Sequence, residues 1–190
     1  MKTLTVTLDN QFMNSRGTIG IVILALIALT GCATAPSHIP SLAVVEPGIW
    51  RGGQPDAEGW KQLKLLGVTN VVKLNLEMEG SDKRAEELGL RVYRVPIGLG
   101  QQLFKGPSRS QIQKVTGAIC PGTYVHCQHG QDRTGLMIAC WRMQSAGAVF
   151  TKEKAQAEML ANGFHRLLGG LWGSWEGFRP PSPARDPKKI

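Results

Sequence analysis

The stretch His126 to Gly135, HCQHGQDRTG, constrains this chain more than any other ten residues. It places a cysteine and an arginine six positions apart around a glycine, with apolar residues crowding both sides. Gly122 to Val125 reads as a short strand entering the stretch, and Leu136 to Met143 as a helix leaving it. A strand, a turn and a helix in that order aim the free N–H groups of the helix's first turn at one point, where an anion can sit. Cys127 opens the turn and Arg133 closes it. The spacing predicts an anion pocket with a nucleophile at its base.

The rest of the chain supplies alternating strands and helices around that centre. Ile49 to Arg51 reads as a short strand ended by Gly52 and Gly53. Asp56 caps a helix through Leu66, with Trp60, Leu63 and Leu66 at helical spacing and Gly67 as its stop. Val68 to Leu76 has the β-branched run of a buried strand. Glu77 to Asp82 is an acidic, glycine-containing loop, and Ser81 caps a short helix through Leu88. Arg91 to Val95 is the next strand, closed by Pro96. Ile97 to Pro107 has no periodicity and reads as a loop of the length that usually carries function. Ser108 and Gln111 form a capping box opening a helix to about Ile119. Thr151 to Asn162 is an amphipathic helix, and the Gly- and Trp-rich Phe164 to Phe178 reads as irregular or helical. The pattern predicts a single α/β domain with a central, mostly parallel sheet flanked by helices. With 190 residues and 42% hydrophobic content the chain can fill such a core.

The first residues stand apart from that domain. Ile19 to Leu29 is an apolar run of 11 residues, too short to cross a bilayer and the length of a signal peptide's hydrophobic centre. A buried core helix is the alternative, which the flanks suit less well. The run ends in Leu29, Thr30, Gly31 and Cys32, which resembles the bacterial lipobox, where cleavage before the cysteine leaves a thiol for lipid attachment. Met13 is a second candidate start, because Asp9 sits in the long stretch before it and Arg16 after it makes a compact basic flank. The resemblance implies a lipoprotein-type signal peptide over 1–31, lipid on Cys32 and a tether over 32–41. The folded domain is then 42–178, and 179–190, with four prolines, is a disordered tail. Ala33 in place of Asp points by the same resemblance to the outer membrane, hence to a lipid-anchored protein of the bacterial cell envelope facing the periplasm.

Losing residues 1–31 removes two basic charges and one acidic charge, which lowers the formal net charge from +8 to +7. A basic field gathers anions. No run of basic residues, and no interleaving of aromatics with charges, singles out nucleic acid. The expected partners are a phosphorylated protein or small phosphate ester, and a membrane through the anchor. With Cys32 given to lipid, Cys120, Cys127 and Cys140 remain, and an odd count in an exported domain leaves one thiol for chemistry. Cys120 and Cys140 sit among apolar neighbours and are expected to be buried; either could capture oxidised Cys127 as a disulfide.

Cys127, five residues, Arg133 and then Thr134, with His126 before and Gly130 within, resembles the signature of the protein tyrosine phosphatase superfamily. Ile49 to Pro55, IWRGGQP, resembles the opening strand of its small dual-specificity-type members. Similarity to exported bacterial members extends to EMLANGFH, Glu158 to His165. The resemblance implies the cysteine-based phosphatase fold and Cys127 as nucleophile. It also implies a cradle for phosphate formed by Gln128, His129, Gly130, Gln131, Asp132 and Arg133. Thr134 is implied to donate a hydrogen bond to the sulfur as the phosphoryl group transfers away from it, and His126 to hold the loop's geometry.

The chemistry fits the spacing. A thiol with a pKa of about 8.5 is mostly protonated at neutral pH, and a helix N-terminus favours its thiolate. An arginine fork at position 133 holds two phosphate oxygens where lysine would offer only a point charge, and Gly130 lets backbone approach the anion. Thiolate attack would form a cysteinyl-phosphate that water then hydrolyses, with no metal and no other cofactor required.

The proton donor is less plain. The family places an Asp on the loop after the preceding strand, yet no Asp or Glu stands between Glu87 and Asp132. Asp132 is the nearest carboxylate and resembles the arrangement in some lipid-directed members; its alternative role is an ion pair fixing Arg133 or a neighbouring basic side chain. Glu77, Glu79 and Asp82 are the second choice, and Gln101 or Gln102 is placed to orient water. Arg51, Lys73, Lys105 and Arg109 read as solvated surface residues, with Lys105 and Arg109 also near enough to touch substrate. Trp172 and Trp175 read as packing. A metal site from His126, Cys127 and His129 with Cys120 or Cys140 conflicts with zinc spacings and with Arg133. Three functions follow: a phosphotyrosine or dual-specificity protein phosphatase, a phosphoinositide or inositol phosphate phosphatase, or a weakly active phosphate-binding module. The second kind usually carries lysines in the loop, where this chain has Gln128, His129 and Gln131.

Overall fold

The computed structural model describes residues 37–145 and 150–180. The expected signal peptide, residues 32–36 of the expected tether with Cys32 among them, and the tail beyond residue 180 lie outside the described residues. Among the described residues no helix is long and apolar enough to cross a membrane.

Five strands form one sheet in the order β1-β2-β5-β3-β4, where β1 is Ala43–Glu46, β2 Ile49–Gly52, β3 Asn70–Lys73, β4 Arg91–Arg94 and β5 Thr123–His126. Only β1 with β2 is antiparallel; β2 with β5, β5 with β3 and β3 with β4 are parallel. The mostly parallel sheet is therefore as expected, with β1 an additional edge strand. The strand expected over Val68 to Leu76 pairs over a shorter span. Beyond it the chain stays tied to the centre, since Leu74 N–H donates to His126 O at 2.9 Å.

The central strands β3 and β5 are buried at every position. Alternation sends their side chains to opposite faces. Val71 and Tyr124 pack with Trp60 and Leu63 of α1 (Ala57–Leu65), with Ala85 of α2 (Lys83–Glu87), and with Ile39. Val72 and Val125 pack instead with α3 (Arg109–Ala118), α4 (Asp132–Ser145), α5 (Lys152–Ala161) and α6 (Gly169–Gly177), through Ile112, Leu136, Met159 and Trp175 among others. Because Ile39 is buried, packing begins near His38, ahead of the Leu42 boundary, and the last residues of the expected tether belong to the folded unit. An apolar residue at 39 buries better than it tethers.

Capping follows the sequence closely. Asp56 Oδ1 accepts from Gly59 N–H at 2.8 Å, Ser108 and Gln111 close a reciprocal capping box, and Thr151 caps α5. The cap expected at Ser81 is the exception: the N-cap of α2 is Asp82, without a side-chain cap bond, and Ser81 Oγ accepts from Lys83 N–H one residue earlier. α4 is sheathed on all sides, with Arg133 through Trp141 continuously buried. A helix enclosed in this way has no amphipathic stripe, so it is found in sequence by its place after the loop. The 97–107 segment contains a five-residue π-helical turn, Gln101–Lys105, seated against Gly169 and Gly170 at the start of α6, which resolves the Gly- and Trp-rich stretch as helix.

Candidate active site

Loop 127–131 leaves the carboxyl end of the central strand β5 and runs into the N-terminus of α4, where parallel sheets place their ligands. Cys127 is buried, and the Gly130 N–H donates to its Sγ at 3.3 Å. Gly130 has a φ of +77°, and a Cβ there would lie 2.3 Å from the Gly52 carbonyl carbon. Only glycine fits both the backbone conformation and the space.

Three contacts from distant parts of the chain hold the loop from behind. Arg51 Nη2 donates to Gly130 O at 2.8 Å and to Gln131 O at 3.4 Å. Gln54 N–H donates to Gln128 O at 2.9 Å. His126 Nε2 meets Asp82 Oδ2 at 2.9 Å, with both side chains wholly buried, and the imidazole stacks on Tyr124 at 5.5 Å between centroids. Lys73 Nζ stands 3.6 Å from Asp82 and 3.1 Å from Glu77, and donates to Gly80 O. Burial pushes the Asp82 pKa up, but the His126 hydrogen bond, Gln54 and Lys73 outweigh it and hold the carboxyl below its ordinary value. Arg51 and Lys73, expected on the surface, are thus buried. Arg51 is turned to two loop carbonyls, and Lys73 to a carbonyl and two carboxylates. His126 is anchored on Asp82, a partner that sequence alone did not pair with it.

Arg133 is equally well held. Its Nη1 and Nη2 donate to Glu79 Oε2 and Oε1 at 2.7 and 2.8 Å, and Nη1 also reaches Ile97 O at 3.3 Å. Burial lowers the guanidinium's pKa, but Glu79 and Cys127 outweigh it, so the net direction is upward. The same fork holds Glu79 below the ordinary carboxylate value.

A cleft of about 280 Å³ opens over Cys127, lined by Glu79, Leu99, Gln102, Gln128, His129, Asp132 and Arg133 with His165, Leu167 and Leu168. Asp132 reaches this cleft, and its Oδ1 accepts from the His165 N–H at 2.7 Å and stands 3.0 Å from that residue's Nδ1. Its observed hydrogen-bond partner is therefore His165, a residue that the sequence brought forward only as part of a resemblance. Gln101 is occupied, accepting from Gly98 N–H and donating to Gln111, which leaves Gln102 at the cleft. Lys105 and Arg109 are exposed and do not line it. Thr134 is buried, and its hydroxyl has no partner among the described residues.

Cys120 is exposed, contrary to expectation, because it lies past the end of α3 in the turn before β5. Cys140 is buried in α4, and burial pushes its thiol pKa up. No group of three or more His, Cys, Asp or Glu side chains placed to hold a metal occurs among the described residues.

A five-stranded sheet, a buried cysteine at the foot of an N–H-lined turn and an arginine closing that turn define a cysteine-based phosphatase domain. The chain belongs to the family described as DSP-PTPase phosphatase fused to NAD+ kinase, which matches residues 41–169. It is 30% identical over 109 residues to the probable NAD kinase 2, chloroplastic, of Oryza sativa subsp. japonica, covering 52% of this chain and 11% of that protein. The chain thus spans about a tenth of that relative's length. Among solved structures, P. aeruginosa TpbA in complex with pTyr is similar at a TM-score of 0.60 and 20% identity, over 76% of this chain and 92% of that one. The catalytic domain of the S. cerevisiae PP-IP phosphatase SIW14, in complex with citrate, is similar at 0.61 and 19%, over 75% and 89%. At such identities these two likenesses concern the fold.

Proposed function

We propose that the protein hydrolyses phosphate monoesters through a cysteinyl-phosphate, as a phosphotyrosine or dual-specificity protein phosphatase. The observation that carries this reading is the convergence of the Cys127 sulfur, the Gly130 N–H and the Arg133 fork in one cleft. The Cys127 thiolate attacks phosphorus while N–H groups of residues 128–133 take up the charge on the phosphate oxygens. A guanidinium has three hydrogen-bonding edges; Glu79 takes the Nη1–Nη2 edge and leaves Nε with an outer N–H for phosphate. As the ester P–O bond breaks, Asp132 gives its proton to the leaving oxygen. The resulting carboxylate then takes a proton from the attacking water, which Gln102 orients. The P–S bond breaks, the thiolate returns and phosphate leaves. Glu79, ionised against Arg133, serves instead to aim the fork.

The cleft's surroundings support an aromatic or otherwise apolar leaving group. Leu99, Leu167 and Leu168 line it, and the first two are largely exposed. Among its lining residues the one arginine or lysine is Arg133, beside the imidazoles of His129 and His165 and set against Glu79 and Asp132. An inositol polyphosphate would ask for more cations. That second reading is favoured by the likeness to SIW14, named as a PP-IP phosphatase. The third, a weakly active phosphate-binding module, rests on the carboxylate missing from 97–107. The exported, lipid-anchored state is likewise a proposal, supported by the sequence up to Cys32, and palmitate labelling lost in Cys32→Ser tests it.

The test is phosphate release by the full chain, with and without Cys127→Ser, from an aryl phosphate, a phosphotyrosine peptide and an inositol phosphate, without added metal. Release from the first two that depends on Cys127 is expected. Release confined to the inositol phosphate would move the assignment to the second reading, and none at all to the binding module.

A further inference from the structure

Arg51 is a buried cation beside the loop that the hydrolytic scheme leaves unused. Its side chain is 1% exposed, and neither Nε nor Nη1 meets a hydrogen-bond partner among the described residues. The neighbouring buried cations are matched: Arg133 by Glu79, Lys73 by Glu77 and Asp82. Arg142 is matched by Glu46 and Glu158. Arg51 makes no such ion pair among the described residues, and its contacts are the two carbonyls of Gly130 and Gln131. An unmatched buried charge is costly to a fold.

Those carbonyls are the right place to act on an anion site without touching it. A peptide unit is planar and trans, so its C=O and N–H point in opposite directions. With the Gly130 carbonyl drawn back onto Arg51 at 2.8 Å, the Gln131 N–H of the same unit turns the other way. The Gln131 carbonyl, held by Gly135 N–H at 2.7 Å and by Arg51 at 3.4 Å, does the same for the Asp132 N–H. Strand β2 carries Arg51 and pairs in parallel with β5, which delivers Cys127, so the two arrive side by side.

We propose that Arg51 is the positioning residue of the phosphate cradle: from behind the loop it fixes the Gly130 and Gln131 peptide units so that their N–H groups face the anion, and its unmatched charge balances the thiolate and the transferred phosphoryl group. The proposal rests on the phosphatase reading. Burial pulls the Arg51 pKa down, against attraction from Glu158 and Cys127, and Glu158 is already engaged by Arg142. The other titratable or charged groups around Cys127 are Tyr124, His126, His129, Asp132 and Arg133 on its own segment and Glu79 and Asp82 from the 77–82 loop. All are retained in the variants below.

Arg51→Lys and Arg51→Met in the full chain test this, with three readouts: inhibition of aryl phosphate hydrolysis by inorganic phosphate, the pH dependence of iodoacetamide alkylation at the Cys127 peptide followed by mass, and Tm. Lysine keeps the charge, but its shorter side chain stops short of where Nη2 meets the two carbonyls, so phosphate inhibition weakens about tenfold while the alkylation profile stays in place. Methionine loses both, so inhibition weakens on the order of 100-fold and alkylation moves to higher pH. A merely structural residue would lower Tm and leave both other readouts at wild-type values; that result in folded variants overturns the proposal. Should the methionine variant fail to fold, unchanged phosphate inhibition in Arg51→Lys overturns it alone. A wild-type chain that neither releases phosphate nor is inhibited by it would instead defeat the phosphatase reading.

Discussion

Two loops border the catalytic cleft, and their chemistry is opposite. The 77–82 loop is acidic, and its carboxylates are committed: Glu79 to Arg133, Asp82 to His126, Glu77 to Lys73. The 97–106 segment has no carboxylate and presents Leu99 and Gln102, with its π-helical turn seated on the glycines that open α6. One loop grips both ends of the phosphate loop, and the other shapes the mouth. The comparison teaches that a carboxylate near the site is not thereby an acid. Glu77, Glu79 and Asp82 are each held below the ordinary carboxylate value by basic neighbours, so the proton donor is sought within the phosphate loop, at Asp132, which reaches the cleft beside His165.

The largest effect that bears on this division belongs to the loop both regions serve. Cys127→Ser should lower turnover by at least about 10⁴-fold, measured as phosphate release from an aryl phosphate. Arg133→Lys keeps charge but loses the fork that Glu79 aims, and should cost on the order of 10² to 10³ in kcat/KM. Asp132→Asn should cost about 10²-fold on esters with poor leaving groups and much less on activated aryl phosphates, steepening the dependence on leaving-group pKa. Glu79→Gln should cost about tenfold on every ester alike, a loss of aim and not of a proton. If Glu79→Gln shows the leaving-group dependence and Asp132→Asn does not, the two carboxylates exchange roles.

The smallest effect concerns stability. Asp82 has a folded pKa below its ordinary value. Its contribution is therefore fully present above about pH 4 and is lost as pH falls through the lowered folded value. Tm followed from pH 6 downward should fall less steeply in Asp82→Asn than in the wild type, from a lower starting point. Parallel curves would remove Asp82 from the account.

The turn from Cys127 to Arg133 was legible in sequence because its geometry is local: one strand, one tight turn and one helix N-terminus, all within ten residues. The parallel sheet was legible for the same reason, through alternating short periodic segments. What stayed hidden is long-range. Arg51 meets Gly130 across 79 residues, His126 meets Asp82 across 44, and Arg133 meets Glu79 across 54. An isolated Arg or Lys in a strand is more often solvated than buried, and nothing local marks Arg51 or Lys73 as exceptions. β1 was missed because Pro47 and Gly48 directly after it read as loop, although Val44 and Val45 suit a strand. Ile39 was missed because prolines and small polar residues surround it.

The central claim is that phosphate passes through the Cys127 sulfur. Acid quench of the full chain during turnover of an aryl phosphate, followed by mass analysis of its cysteine peptides, tests it most directly. The account predicts a transient phosphoryl adduct on the Cys127 peptide, absent from the Cys120 and Cys140 peptides and absent throughout in Cys127→Ser. Phosphate release that persists in Cys127→Ser, with no adduct in the wild type, would contradict it.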